Sequence, residues 1–269
     1  MWDSISELAQ RKRGWLALVA ALALIAAGAG IAQGELSQNG DLRLSFDGGF
    51  APLRLPRDRL APVDFEIEGK ITTTDGTHPP PLRKVHIALN GNGRLSSAGL
   101  PRCNSGALQS TSPAGALAVC RSALVGRGTL QATVALDGNE DVHVAGSILA
   151  FNGRRGGRQS LLLHLYVAVP VSATLVLPLT ITHRPNQRFG TVLSGIVPKL
   201  AGGLGSITEM KLKVGRTYST GGKRRSYLSA SCAAPAGFST AVFPFARGTF
   251  YFAGGRKIVT ALTRECHVR

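Results

Sequence analysis

From Leu42 onward apolar and polar residues alternate with a period of two, and no other feature constrains this chain as strongly. Successive side chains of an extended strand point to opposite faces, so this period marks strands with one buried and one wet face; a helix would need a period near 3.6. Leu42, Leu44 and Phe46 alternate with Arg43, Ser45 and Asp47, and Phe65, Ile67 and Ile71 stand against Asp64, Glu66, Glu68 and Lys70. Val85, Ile87 and Leu89, then Val142 and Val144, then Met210, Leu212 and Val214 repeat the pattern around Lys84, His86, His143, Lys211 and Lys213. Between the runs lie Thr74-Asp75-Gly76, Asn90-Gly91-Asn92-Gly93, Asp137-Gly138-Asn139, Arg154-Arg155-Gly156-Gly157 and Gly221-Gly222-Lys223. Such residues tolerate the left-handed backbone that tight β-turns require.

Two stretches depart from strict alternation. In Ser160 to Val169 and Ala173 to Thr182 both faces are largely apolar, which places these strands in the middle of a packed sheet or at a junction of layers. Pro170 and Pro178 lack an amide donor and are expected at an edge, a bulge or a strand end. One helix is signalled, with Ser112 as N-cap and Pro113 at the first helical position, leading into Ala114 to Arg121. The 33 glycines and 14 prolines disfavour long helices, and without a Gly-X-Y period collagen is excluded. At 44% hydrophobic and 17% charged residues the chain buries a core, unlike a disordered tail. With no internal repeat of fixed period, solenoids and propellers lose support. The expected fold is all-β: an antiparallel β-sandwich over residues 35–269 with one short helical excursion. The polar, Gly-rich segment 152–159 reads as an interdomain linker or a long hairpin loop, and its shortness favours the loop.

The N-terminus and the cysteines speak to compartment. Arg11, Lys12 and Arg13 precede an uncharged run with an apolar heart from Trp15 to Ala32, the order of an export signal, so residues 1–34 are read as a signal peptide or signal-anchor helix. Ala27-Gly28-Ala29 and Gly30-Ile31-Ala32 offer cleavage sites, and the Gly-rich end of the run favours removal. Retention as a transmembrane anchor is the alternative, because 18 apolar residues just suffice for a span. Either way the segment engages the membrane during export and the bulk is extracytoplasmic, secreted or at the cell envelope. Cys103, Cys120, Cys232 and Cys266, an even number beyond that signal, imply two disulfides. Three pairings exist; the sequential one, Cys103 with Cys120 and Cys232 with Cys266, is favoured because each closes a local segment. A Cys₄ zinc site lacks the expected C-x₂-C pair.

Charge is segregated along the chain. Residues 35–142 are neutral, whereas 143–269 hold 17 basic and two acidic residues, net +15. The densest groups are Arg154, Arg155 and Arg158 on one Gly-rich loop and Lys223, Arg224 and Arg225 on another. These six are the candidate anion-binding residues, since loops present guanidinium forks readily to phosphate or carboxylate. For an exported protein the matching partners are anionic envelope polymers or lipid head groups. Sequence-specific nucleic-acid binding is not expected, because no recognition motif or aromatic interleaving accompanies the charge. A plainer reading competes: Arg outnumbers Lys 23 to 8, as a GC-rich genome produces without selection.

Catalytic signatures are missing where they would be looked for, with no G-x-S-x-G elbow and no H-E-x-x-H helix. His78, His86, His143, His164, His183 and His267 are scattered singly, and His86 with His143 is the pair considered for a metal through cross-strand pairing. Asp64, Glu66 and Glu68 share one strand face at a spacing compatible with a glycosidase pair, but the pattern predicts exposure, offset by Lys70 and Lys84. Asp137, Asn139, Glu140 and Asp141 gather oxygens without the twelve-residue calcium loop. No catalytic, metal or cofactor residue is assigned.

Leu60-Ala61-Pro62, Thr72 through Pro80, Gly99-Leu100-Pro101-Arg102-Cys103, Cys120 and Ala123-Leu124-Val125-Gly126 resemble a group of uncharacterised exported β-rich proteins of high-GC actinobacteria. Phe151-Asn152-Gly153, Ile196-Val197-Pro198, Gly203 through Ile207, Ser226-Tyr227-Leu228 with Cys232, and Arg264 with Cys266 extend the resemblance over most of the chain beyond the signal. The resemblance implies export and β-structure and carries no catalytic residue or cofactor. The sequence therefore leads to a noncatalytic exported structural or binding module, with an extracellular hydrolase or carbohydrate-active enzyme of dispersed site as the alternative. A cleft holding buried carboxylates, or a His with a carboxylate, would favour the enzyme.

Overall fold

The computed structural model describes residues 34–135 and 141–269. The expected signal or anchor segment up to residue 33, and Asp137, Asn139 and Glu140 of the acidic turn, lie outside the described residues. Among those described, no helix is long and apolar enough to cross a membrane.

The chain is mostly β. In order the strands are β1 (Glu35–Asn39), β2 (Leu42–Ala51), β3 (Arg54–Leu55), β4 (Ala61–Pro62), β5 (Asp64–Thr73), β6 (Leu82–Asn90), β7 (Gly93–Leu95), β8 (Cys103–Asn104), β9 (Leu124–Val134), β10 (Val142–Arg155) and β11 (Arg158–Val167). There follow β12 (Ala173–His183), β13 (Phe189–Ile196), β14 (Gly205–Val214), β15 (Thr217–Thr220), β16 (Lys223–Ser226), β17 (Leu228–Ala230), β18 (Thr240–Phe252) and β19 (Lys257–Val268). The helix α1 spans Pro113–Cys120, and the Ser112 hydroxyl caps it by accepting from the Gly115 amide at 3.2 Å.

An antiparallel sandwich was the expectation; the strands form one curled sheet of fourteen, in the order β1-β2-β5-β14-β9-β10-β11-β12-β13-β6-β18-β19-β3, with β8 beside β10. Most pairs are antiparallel, but β8 on β10 and β3 on β19 run parallel, so the sheet is mixed. The curl brings the two edges together. Arg264 of β19 reaches Asp47 and the Gly48 carbonyl of β2, Arg256 pairs with Asp41, and the Asn39 amide donates to Lys257 O at 3.1 Å. Inside, the alternating apolar residues meet: Leu42, Leu44 and Phe46 are at most 1% exposed, and Phe46 packs edge-on against Phe250 at 5.6 Å. Fully burying such a side chain stabilises by about 1.5–3 kcal/mol, so the inner face drives the curl.

A small sheet, β4-β17-β7, lies against this core, and β15 with β16 makes a separate hairpin. The disulfides are Cys103–Cys120 and Cys232–Cys266, with Cα–Cα distances of 5.4 and 5.7 Å. The sequential pairing is the observed one, and it suits an oxidising compartment. Segment 152–159 is the tip of the β10–β11 hairpin, where Gly153 pairs with Ser160 and Arg155 with Arg158. Pro170 falls in the turn after β11, and Pro178 lies on β12 just before its pairing with β13 begins at Thr180.

The two-faced strand β11 has a specific cause. Leu161, Leu163 and Leu165 join the main core, while Leu162 and His164 face outward under the disulfide-fastened excursion that holds Leu108, Ala116 and Cys120. His164 is fully buried and its Nε2 donates to Thr111 O at 2.9 Å, leaving Nδ1 without a partner. Burial therefore holds the His164 pKa below its ordinary 6.5. Since the unfolded chain takes up this proton at higher pH than the folded chain, the stabilisation is complete above about pH 6.5 and is lost as pH falls through the folded value. Tm is expected to fall on acidification below that point, and His164→Leu to flatten the fall; His86, also lowered by burial, retains the rest. Equal slopes in the two proteins would contradict this origin.

Candidate functional site

At one end of the curled sheet the β6–β7 turn, the β12–β13 turn and the β10–β11 hairpin converge on an open cleft of about 1010 Å³. Three arginines line it, Arg94, Arg184 and Arg188, and among the described residues no carboxylate does. Local chemistry sets the walls. The Asn90 carboxamide accepts from the Asn92 amide at 2.8 Å and donates to Pro244 O at 2.9 Å, fixing the β6–β7 turn. The β12–β13 turn docks on it through Gly91 N to Arg188 O at 2.9 Å and closes on itself through Arg184 N to Gly190 O at 2.8 Å. That approach needs Gly91, because a Cβ there would stand 2.7 Å from Gln187 O. Asn186 takes the turn's left-handed position at φ 61°, which Asn tolerates.

None of the six predicted basic residues lines this cleft; their elements touch its wall through neighbouring residues. Arg154, Arg155 and Arg158 are exposed at the β10–β11 tip, where Gly156 and Gly157 adopt φ 55° and 74°, and the adjoining Gln159 forms part of the cleft wall. Lys223, Arg224 and Arg225, expected on a loop, are instead exposed on strand β16 beyond the Gly221-Gly222 turn, where they pair with Thr220, Ser219 and Tyr218 of β15. Tyr218 ties this hairpin to the wall by donating to Ala98 O at 2.9 Å, and Ser96 to Ala98 line the cleft. Burial raises the Tyr218 phenol pKa, keeping it a donor. None of the six residues forms an ion pair among the described residues. The sequence reading missed Arg94, Arg184, Arg188 and Gln159; the signal available was Arg184-Pro185-Asn186-Gln187-Arg188, a turn bracketed by two cations.

The other candidates are dispersed. Asp64, Glu66 and Glu68 lie on β5 against β14, with Glu66 opposite Lys213 and Glu68 opposite Lys211. Lys211 Nζ is 3.0 Å from Glu68 and 3.5 Å from Glu209, and Lys213 Nζ is 3.7 Å from Asp64. Glu68 raises the Lys211 pKa, as expected of a paired surface ladder. The offsetting cations are thus Lys211 and Lys213; Lys84, expected in that role, sits over the Tyr251 ring at 5.5 Å. His86 bonds Ser194 at 2.8 Å and His143 bonds Thr133 at 3.2 Å, on strands that are not neighbours. Among the described residues no three metal-ligating side chains gather.

Two histidines meet a carboxylate among the described residues: His267 Nε2 is 3.6 Å from Glu265 on the exposed face of β19, and His78 meets Asp141. Asp141 Oδ2 is 2.9 Å from His78 Nδ1, and His78 Nε2 is 3.0 Å from Ser206 Oγ, the order of a Ser-His-Asp triad. Two facts oppose nucleophilic work: Ser206 is 1% exposed, and its hydroxyl donates to Pro79 O at 2.6 Å. A substrate carbonyl has no approach to such an oxygen, so the chain clamps the β5–β6 connection onto β14 and β10. Comparison with family models, with curated proteins and with solved structures found no match.

Proposed function

We propose that this chain is a noncatalytic binding module, exported to the cell envelope or secreted, whose basic end holds anionic polymer. Arg94, Arg184 and Arg188, lining one cleft without a carboxylate among the described residues, carry the reading, and the exposed Arg154, Arg155, Arg158, Lys223, Arg224 and Arg225 lie on elements that adjoin its wall through Gln159 and Tyr218. Compositional bias alone would scatter arginine among acids, whereas the acids of β5 are balanced on a separate face by β14. Uncompensated cations in a concave site attract polyanions over several ångströms and release counterions on contact. The envelope location, the export segment and the kinship with exported actinobacterial proteins belong to the same proposal, as does a sandwich description of the curled sheet's facing halves. The His78–Asp141 contact, which lies in line with a serine, is the observation that most favours a hydrolase, and the burial of Ser206 weighs against it.

Direct titration with dextran sulfate tests this. Affinity is expected to fall linearly in logarithmic terms with salt, losing at least about tenfold between roughly 50 and 200 mM. Failure to bind at the low-salt end, or equal binding of uncharged dextran, would overturn it.

A further inference from the structure

We infer that the polymer this cleft receives is an acidic polysaccharide, one bearing carboxylate on hydroxyl-rich sugar units. The inference rests on the anionic-polymer reading above and adds the ligand class. Besides its arginines, the cleft is walled by carboxamides and hydroxyls, including Asn92, Gln159, Gln187, Ser96 and Ser97. A carboxamide offers two donors and an acceptor, which suits a sugar hydroxyl that both gives and takes a hydrogen bond; a purely electrostatic surface needs none. Gln159 is half-buried in the cleft wall, and its inaccessible Nε2 has no hydrogen-bond partner among the described residues. Leaving such a donor unmade costs about 1–3 kcal/mol, a deficit that turning the Gln159 carboxamide toward a ligand oxygen would remove.

Size and missing chemistry narrow the choice. At about 1010 Å³ the cleft reaches the top of the range for enclosed small-molecule sites, and it is open, as a chain passing through requires. Among the described residues no Phe, Tyr or Trp lines it. Single-stranded nucleic acid would lose the stacking that contributes about 1–3 kcal/mol per base. Neutral sugars would likewise lack an aromatic face for their apolar side. Acidic sugars need neither, since bidentate Arg–carboxylate pairs supply the attraction and the amides read the hydroxyls.

The test compares polygalacturonate, poly-glutamate and single-stranded DNA as titrants of the full chain at one ionic strength. Polygalacturonate is expected to bind at least about tenfold tighter than poly-glutamate, the difference that one or two additional net hydrogen bonds supply. Combined Asn92→Ala, Gln159→Ala and Gln187→Ala substitution is expected to remove that preference while leaving poly-glutamate binding within about twofold. Should the combined variant fold poorly, Gln159→Ala alone is expected to reduce the preference with an unchanged melting profile. Equal affinity for the two polymers, tighter binding of DNA, or a preference that survives the amide substitutions would overturn the sugar assignment and leave the basic site standing. If none of the three polyanions binds, the underlying reading falls as well.

Discussion

Replacing Cys232 and Cys266 together by alanine is expected to destabilise the protein by about 4 kcal/mol and to lower Tm by roughly 10 °C. The disulfide closes a 34-residue separation, twice the 17 of Cys103–Cys120, so the constraint it removes from the unfolded chain is the larger of the two. Its place in the fold adds to this. Cys232 and Cys266 are 0% and 1% exposed and belong to the main core, where the bond fastens the segment after β17 to β19. The small sheet β4-β17-β7 includes Arg94, so loosening it also weakens the cleft. The Cys103→Ala, Cys120→Ala protein is expected to lose about 3 kcal/mol, confined to the excursion over β10 and β11. Thermal melts under nonreducing conditions check both; a Tm for the Cys232, Cys266 variant within about 2 °C of the parent would contradict the assignment.

Local chemistry was legible in the sequence, and long-range pairing was not. The alternation of Leu42, Leu44 and Phe46 identified a core face because strand periodicity is written in consecutive residues. Ser112 and Pro113 marked the helix for the same reason, and the cysteine spacing pointed to the pairing. That β14 inserts between β5 and β9, or β6 between β13 and β18, depends on partners far apart in sequence, and no local pattern encodes it. The consequences follow directly. Lys211 and Lys213 could not be recognised as partners of the β5 carboxylates without that register. Strand β11 showed two apolar faces, but what covers the second, Leu108 and Ala116 of the excursion, appears only in three dimensions. Both basic groups were found from composition, whereas the cleft is built from turns whose arginines stand singly or in pairs in the sequence.

The basic end is tested most directly by exchanging Arg154, Arg155, Arg158, Lys223, Arg224 and Arg225 for serine and titrating parent and variant with dextran sulfate at low salt. All six side chains are exposed, and none is ion-paired among the described residues, so Tm is expected to stay close to the parent value. Binding is expected to fall by at least about a hundredfold, and the slope of log affinity against log salt to become shallower, because up to six cations no longer displace counterions. Residual binding should persist through Arg94, Arg184 and Arg188, which the exchange leaves in place. An unchanged affinity and salt slope in a variant that melts like the parent would show that these six residues are merely solvated and take no part in holding the polymer.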